Sequence, residues 1–352
     1  MKIGLGFYRH MLTPENLQFA RQLGVEDVVV HLETYFSNGA GSKVELSKGG
    51  EDGWGVGQDG YWTYEAFADL IALLASDGLR LAAIENFAVK QWSDILLGGP
   101  ERDQQMAAMK QMIRDAGRAG VPCFGYNFSI AGVWGWVRGP FARGGAMSVG
   151  FDGSKIDADE PIPDGMVWNM RYRENRGGTV PPVSDQELWN RLSGFLTELL
   201  PIAEEAGVVL AAHPDDPPVD ALRGTARLVN KPEKYDRLIA IDPRPANKIE
   251  LCLGSLQEMA IGDVYATVDR YSRADRIGYI HFRNVRGKVP NYAEVFLDEG
   301  DLDMVKIVRI LRASGYRGLL IPDHTPEMAC SAPWHAGMAY AVGYMRALLA
   351  SS

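Results

Sequence analysis

Cysteine is scarce in this 352-residue chain: Cys123, Cys252 and Cys330 form an odd, sparse set. Secreted disulfide scaffolds carry a denser and usually even complement, so reduced thiols are expected. No apolar run approaches the roughly 20 residues that span a bilayer. The opening stretch Met1-Lys2-Ile3-Gly4-Leu5-Gly6 lacks the basic-then-apolar run and cleavage site of a secretory signal. A soluble, cytoplasmic protein with no membrane partner is the expectation. Positive charge is in deficit, with 36 Lys and Arg against 45 Asp and Glu and a formal net charge of −9. That balance repels a phosphate backbone and argues against nucleic acid as a partner. Internal repeats and low-complexity runs are missing too.

What is present is ordinary globular material, 46% hydrophobic and 23% charged, with enough apolar residues for a large core. Eight short β-rich runs alternate with segments of helical spacing, the pattern of parallel strands joined by helical crossovers. They are Lys2–Tyr8, Asp27–Leu32, Leu81–Asn86, Cys123–Phe128, Val208–His213, Ile249–Leu253, Ile277–Arg283 and Leu319–Asp323. Eight strands close a (β/α)8 TIM barrel, predicted as one α/β domain over residues 1–352. Helix starts are marked by Thr13-Pro14-Glu15 and by the capping box Ser184-Asp185-Gln186-Glu187. The latter opens a helix to about Glu205 with Leu188, Leu192, Phe195, Leu196 and Leu199 on one face. Gly315 is placed to cap a helix beginning near Asp301. Two stretches after the second and fourth strands, Glu33–Trp62 and Ala131–Pro182, read as long loops on the catalytic face. Trp54, Trp134, Trp136 and Trp168 suit a lid there, with surface elaboration or an oligomer contact the alternative.

Polar residues at the C-terminal ends of barrel strands are expected to carry chemistry, because the interior below them is filled by apolar layers. The last four strands end in His213, Cys252, His281 and Asp323. Two imidazoles, a thiolate and a carboxylate suit a divalent cation of borderline softness, with zinc, manganese, iron and cobalt all compatible. Any one of these residues alone reads better as core; four on consecutive strands read as a ligand set. Tyr8, His31, Glu85 and Asn127 end other strands and are candidates for contacting a hydroxylated substrate. His31 and His10 read equally well as buried structural histidines, His335 reads as packing at the start of the last helix, and Cys123 and Cys330 read as inert thiols.

His213-Pro214-Asp215-Asp216-Pro217-Pro218, Cys252-Leu253-Gly254-Ser255, His281-Phe282-Arg283 and Pro322-Asp323-His324 resemble, in order and spacing, the motifs of mannonate dehydratases. Tyr126-Asn127-Phe128, Gly300–Met304 and the Tyr8 region extend the likeness over nearly the whole chain. The resemblance implies a xylose-isomerase-like barrel that removes water from D-mannonate to give a 2-keto-3-deoxy acid, usually with Mn²⁺. It implies His213, Cys252, His281 and Asp323 as metal ligands and His324 as the catalytic histidine. Histidine titrates near neutral pH, which suits proton transfer. Arg283 is the expected catalytic clamp on the sugar-acid carboxylate. Tyr8, Glu85, Asn127, Asp215 and Trp334 are expected at the substrate.

One position departs from the family. Its catalytic tyrosine precedes the final helix, where this chain has Pro333-Trp334, and an indole N–H only donates. Tyr8 or Tyr340 are the candidates for that role. The departure keeps two alternatives open: a metal-dependent sugar isomerase or epimerase on the same barrel, and a metal- or sugar-binding barrel without turnover. The expected partner is a small sugar acid, and homo-oligomer formation through the outer helices is anticipated.

Overall fold

The computed structural model describes residues 1–36 and 53–351. Strands β1 (Lys2–Tyr8), β2 (Asp27–His31), β3 (Arg80–Glu85), β4 (Cys123–Tyr126), β5 (Val209–Ala212), β6 (Asn247–Cys252), β7 (Ile277–His281) and β8 (Leu319–Ile321) form a closed barrel. Each pairs in parallel with its sequence neighbours, and β8 returns to β1. The eight runs read from the sequence coincide with these strands apart from their end residues.

Side chains alternate across a strand with a period of two, and this explains how the barrel delivers its site. One set of alternate residues, Val29, Ala83, Cys123, Ala211, Tyr279, Leu319 and Ile321, packs together inside the barrel. The other set, including Leu5, Val30, Ile84, Phe124, Leu210, Leu251 and Ile280, belongs to the larger core shared with the surrounding helices. Continuing the inner set by one step past these layers reaches His31, Glu85, His213, Cys252, His281 and Asp323. The same alternation that fills the barrel therefore turns those groups into its mouth.

The helices start where the caps indicated. Thr13 Oγ1 accepts from the Asn16 amide, and Ser184 Oγ from the Glu187 amide. Helix Asp185–Glu205 buries Leu188, Leu192, Phe195, Leu196 and Leu199. The helix before β8 is Met304–Ala313, a turn later than expected, because Asp303 rather than Asp301 caps it. Asp301 instead accepts from the Gly287 amide. Gly315 takes the left-handed conformation, at φ 79°.

The region Ala131–Pro182 is more than a loop. It contains a hairpin, Trp136–Ala142 and Ala146–Asp152, which joins a second hairpin from after β7, Asn284–Lys288 and Asn291–Val295. Together they make a four-stranded antiparallel sheet over the barrel mouth. Its strands are interrupted by Gly139, Gly150 and Gly287, which hid their alternation in the sequence. Most of the other predicted loop, at 37–52, lies outside the described residues. Among the described residues no helix is long and apolar enough to cross a membrane.

Candidate active site

The cleft sits at the C-terminal ends of the strands. An inner chamber of about 80 Å³ is walled by Tyr8, His31, Glu85, Asn127, His213, His281, Arg283, Asp323 and His324. It opens into an outer chamber of about 600 Å³ that includes Trp334, Met147 and Glu327. Trp54, Trp136 and Trp168 line the inner chamber, whereas Trp134 packs under Arg223. Three of the four predicted lid tryptophans thus face the cleft.

His213, Cys252 and His281 place ligating atoms within 4.8 Å of one another, and His281 is likewise grouped with Asp323 and Glu85. Each donor is oriented by a second partner. His213 Nδ1 lies 2.6 Å from the Pro214 carbonyl, a contact made by the Nδ1–H tautomer, which leaves Nε2 as the ligating nitrogen. Cys252 Sγ accepts from the Ser255 amide at 3.4 Å and from Arg283 Nε at 3.2 Å. Burial opposes ionisation of this thiol, yet Arg283 and the two histidines outweigh burial and hold its pKa well below the usual value. His281 Nε2 faces Glu250 at 3.0 Å and Glu85 at 3.2 Å, and Nδ1 lies 3.2 Å from Asp323. That Nδ1 is buried and makes no hydrogen bond. A buried imidazole nitrogen that faces a carboxylate at 3.2 Å without a well-formed hydrogen bond, in a cluster that also holds a thiolate, is a donor set that fits a cation. Asp323 reaches in from a left-handed backbone, φ 61°, a conformation that costs a non-glycine residue on the order of 1–3 kcal/mol. Glu85 is engaged by His281 and by His31 Nε2 at 3.5 Å. Burial would raise the Glu85 pKa, but those two histidines pull it down to about 2.

Two expected substrate contacts are placed differently. Asp215 turns away from the cleft, accepting from the Val229 amide at 2.8 Å and pairing with buried Arg227 at 3.3 Å. Its neighbour Asp216 faces the site instead. Arg283, expected as a carboxylate clamp, is only 3% exposed. Its guanidinium meets Asp216 at 2.6 Å, Ser255 at 3.1 Å, Glu258 at 3.3 Å, Cys252 and Glu294. Five protein acceptors already surround its donors, although the residue also lines the inner chamber. Asn127 is also engaged at both ends of its amide, with the Pro214 carbonyl and the Trp168 indole.

His324 is held by Glu294, whose carboxylate is 2.6 Å from Nδ1. Nε2 lies 3.1 Å from Asp323. Burial disfavours the imidazolium, but Asp323 and Glu294 outweigh it and push the pKa up to about 9. Tyr8 lines both chambers and packs on His31 with ring centroids 4.7 Å apart. Burial, together with Asp323, Glu85 and Glu294, raises its phenol pKa and keeps it a donor. Trp334 packs on Phe7 and Phe19 at the edge of the outer chamber. Tyr340 accepts from Arg143 and meets Phe296 edge-on, and it lines neither chamber.

Sequence reasoning missed Glu250, Glu258, Glu294 and Asp216. Glu250 had a signal: it lies two residues before Cys252 and so shares its face. Glu294 had none, because its strand was not recognised.

Fold and site together define a xylose-isomerase-like (β/α)8 barrel whose strand ends gather a cation-binding donor set. The family model for D-mannonate dehydratase matches residues 16–351. A mannonate dehydratase of Streptococcus pneumoniae is 31% identical over 276 residues, covering 75% of this chain and 74% of the relative. One of Oceanobacillus iheyensis is 29% identical over 279 residues, covering 75% and 77%. The crystal structure of mannonate dehydratase from Streptococcus suis serotype 2 superposes with a TM-score of 0.77 at 26% identity, covering 99% of this chain and 92% of that one. D-psicose 3-epimerase from Clostridium cellulolyticum, at 13% identity and a TM-score of 0.56, shares the fold alone. The chain belongs to the D-mannonate dehydratase family.

Proposed function

We propose that this chain is a divalent-cation-dependent D-mannonate dehydratase that forms a 2-keto-3-deoxy acid. The observation that carries the reading is the family match together with a thiolate–imidazole–carboxylate donor set beside a carboxylate-held histidine. Family membership favours elimination over the isomerase, epimerase and non-catalytic alternatives. His213, Cys252, His281 and Asp323 would hold the cation, with Mn²⁺ proposed from the resemblance to the family. Bound there, it would supply Lewis-acid stabilisation of the negative charge that develops next to the substrate carboxylate.

The elimination takes a proton from C2 and expels hydroxide from C3; the enol that results tautomerises to the keto acid. His324 carries a proton at neutral pH and delivers it from Nε2 to the departing hydroxide, making water. Glu294 fixes the tautomer by holding Nδ1–H. On the β2 side, His31 lines the inner chamber with Nε2 3.5 Å from Glu85 and is the group assigned the C2 proton. Tyr8 donates to a substrate hydroxyl between them. The tryptophan wall excludes bulk water, which strengthens these interactions.

The test is to purify the protein without chelators, determine its metal content, and assay the Mn²⁺-loaded form with D-mannonate for a 2-keto-3-deoxy acid. Product is expected from the parent enzyme and about 10²–10⁴-fold less from His324→Ala, the usual worth of a general acid. Bound metal with untouched mannonate would overturn the assignment.

A further inference from the structure

The site contains an arginine whose donors are already turned to protein acceptors. Arg283 follows β7 by two residues and continues its inward-facing set, yet it ends in a pocket closed by protein acceptors. Nε donates to Cys252 Sγ at 3.2 Å and lies 3.5 Å from Asp323 Oδ2. Nη1 points to Glu294 and Glu258, and Nη2 to Asp216 and Ser255. The packing is tight: a Cβ added to Gly254 would come within 2.8 Å of the guanidinium, so this neighbour is held to glycine by Arg283 itself.

We infer that Arg283 is a positioning residue of the cation centre, holding Cys252 and Asp323 at their ligating positions and tying them to the sheet over the barrel mouth. The inference rests on the cation-site reading above. The tie runs through Asp216, which is saturated by four donors. Oδ2 accepts from Arg283 at 2.6 Å and Ser255 at 3.0 Å, while Oδ1 accepts from Tyr292 at 2.7 Å and Trp136 at 3.2 Å. Tyr292 and Trp136 come from the two hairpins of the roof sheet, so one carboxylate joins both hairpins to the ligand-bearing strands. A planar guanidinium is the one side chain able to direct three nitrogens to separate acceptors at fixed angles. An ammonium at the same place keeps the charge and loses that geometry. Since partners that orient ligands typically contribute 10–100-fold to metal affinity, the effect on binding is measurable apart from turnover.

The experiment compares the parent with Arg283→Lys and Arg283→Met, each first shown folded by circular dichroism. Co²⁺ is titrated into the metal-free proteins, following the dissociation constant and the thiolate-to-Co²⁺ charge-transfer absorption. Both variants are expected to bind Co²⁺ about 10–100-fold more weakly, with a shifted or weakened thiolate band. If Met at this position prevents folding, Lys carries the test, because it keeps the buried charge. Variants that bind Co²⁺ with parental affinity and band, while KM for the acid rises, would return Arg283 to the carboxylate-clamp role and overturn the inference. A parent protein that itself shows no thiolate–Co²⁺ band would instead overturn the cation-site reading.

Discussion

Replacing Glu294 by Gln tests the electrostatic control of the proposed acid, and because Glu294 also faces Arg283 Nη1 the variant is compared with the parent at equal metal content. Glu294 Oε2 lies 2.6 Å from His324 Nδ1, and its side chain is 5% exposed, so solvent screens the pair little. Gln keeps an acceptor for Nδ1–H but removes the charge. A hydrogen bond to a charged group is worth about 1.5–3 kcal/mol and a neutral one about 0.5–1.5. The difference, roughly 1–1.5 kcal/mol, is about one pKa unit. His324, raised by Asp323 and Glu294 against burial, is then expected to titrate about one unit lower in the variant than in the parent. The sign follows from its role: the acid works protonated, so activity is present below its pKa and lost above. The falling limb of kcat/KM against pH should move down by about one unit relative to the parent's. The assay is a pH–rate profile at equal metal content. A limb that stays where it was in the parent, or a loss uniform across pH, refutes this account of His324.

Metal affinity should climb with pH. Burial lowers the His213 pKa, but Glu250 and Cys252 outweigh that and bring it to about 9. The proton must leave before Nε2 can ligate, so binding weakens by up to about tenfold per unit as pH falls below about 9; competitive metal titrations from pH 6 to 9 check this. At the other end of the barrel, burial would raise the Asp27 pKa, but Arg80 and Lys2 hold it below the usual carboxylate value. A depressed carboxylate pKa gives stability that is full above the unfolded value and fades as pH drops through the folded one. Arg80→Ala should therefore cost up to about 1 kcal/mol at pH 7, because the half-exposed guanidinium is screened by solvent, and less as pH falls below the unfolded carboxylate value, read by urea unfolding across that range. Gly125→Ala drives a Cβ against Tyr279 Oη and Glu250 Oε2 in the barrel interior. Both atoms end side chains that are themselves buried in the barrel, so a loss of about 1–3 kcal/mol is expected; a Tm equal to the parent's would show that this layer can relax.

The sequence by itself determined the barrel and its ligand candidates. The strand run Asp27–His31 is buried throughout, and Ile277–His281 is buried apart from half-buried Gly278; a period of two then decides which residues share the inner face with the apolar layers. His213, Cys252, His281 and Asp323 were legible because each ends such a run, and the cap at Ser184 was legible because it is a local hydrogen-bond pattern. Tertiary structure alone decided how the remaining groups are used. Asp215 and Asp216 are chemically identical neighbours, and only the packing of Arg227 on one and Arg283 on the other sets which faces the cleft. Arg283 reads as a free cation in its motif, yet Glu258, Glu294 and Asp216 come from distant segments to enclose it. The roof sheet pairs two hairpins more than 130 residues apart, Tyr292 against Phe151, and glycine-interrupted strands do not announce a partner so remote. Local order follows from patterns a few residues long, whereas charge pairing in a buried site depends on which distant acceptors the fold brings within 3 Å, and no spacing in the chain records that.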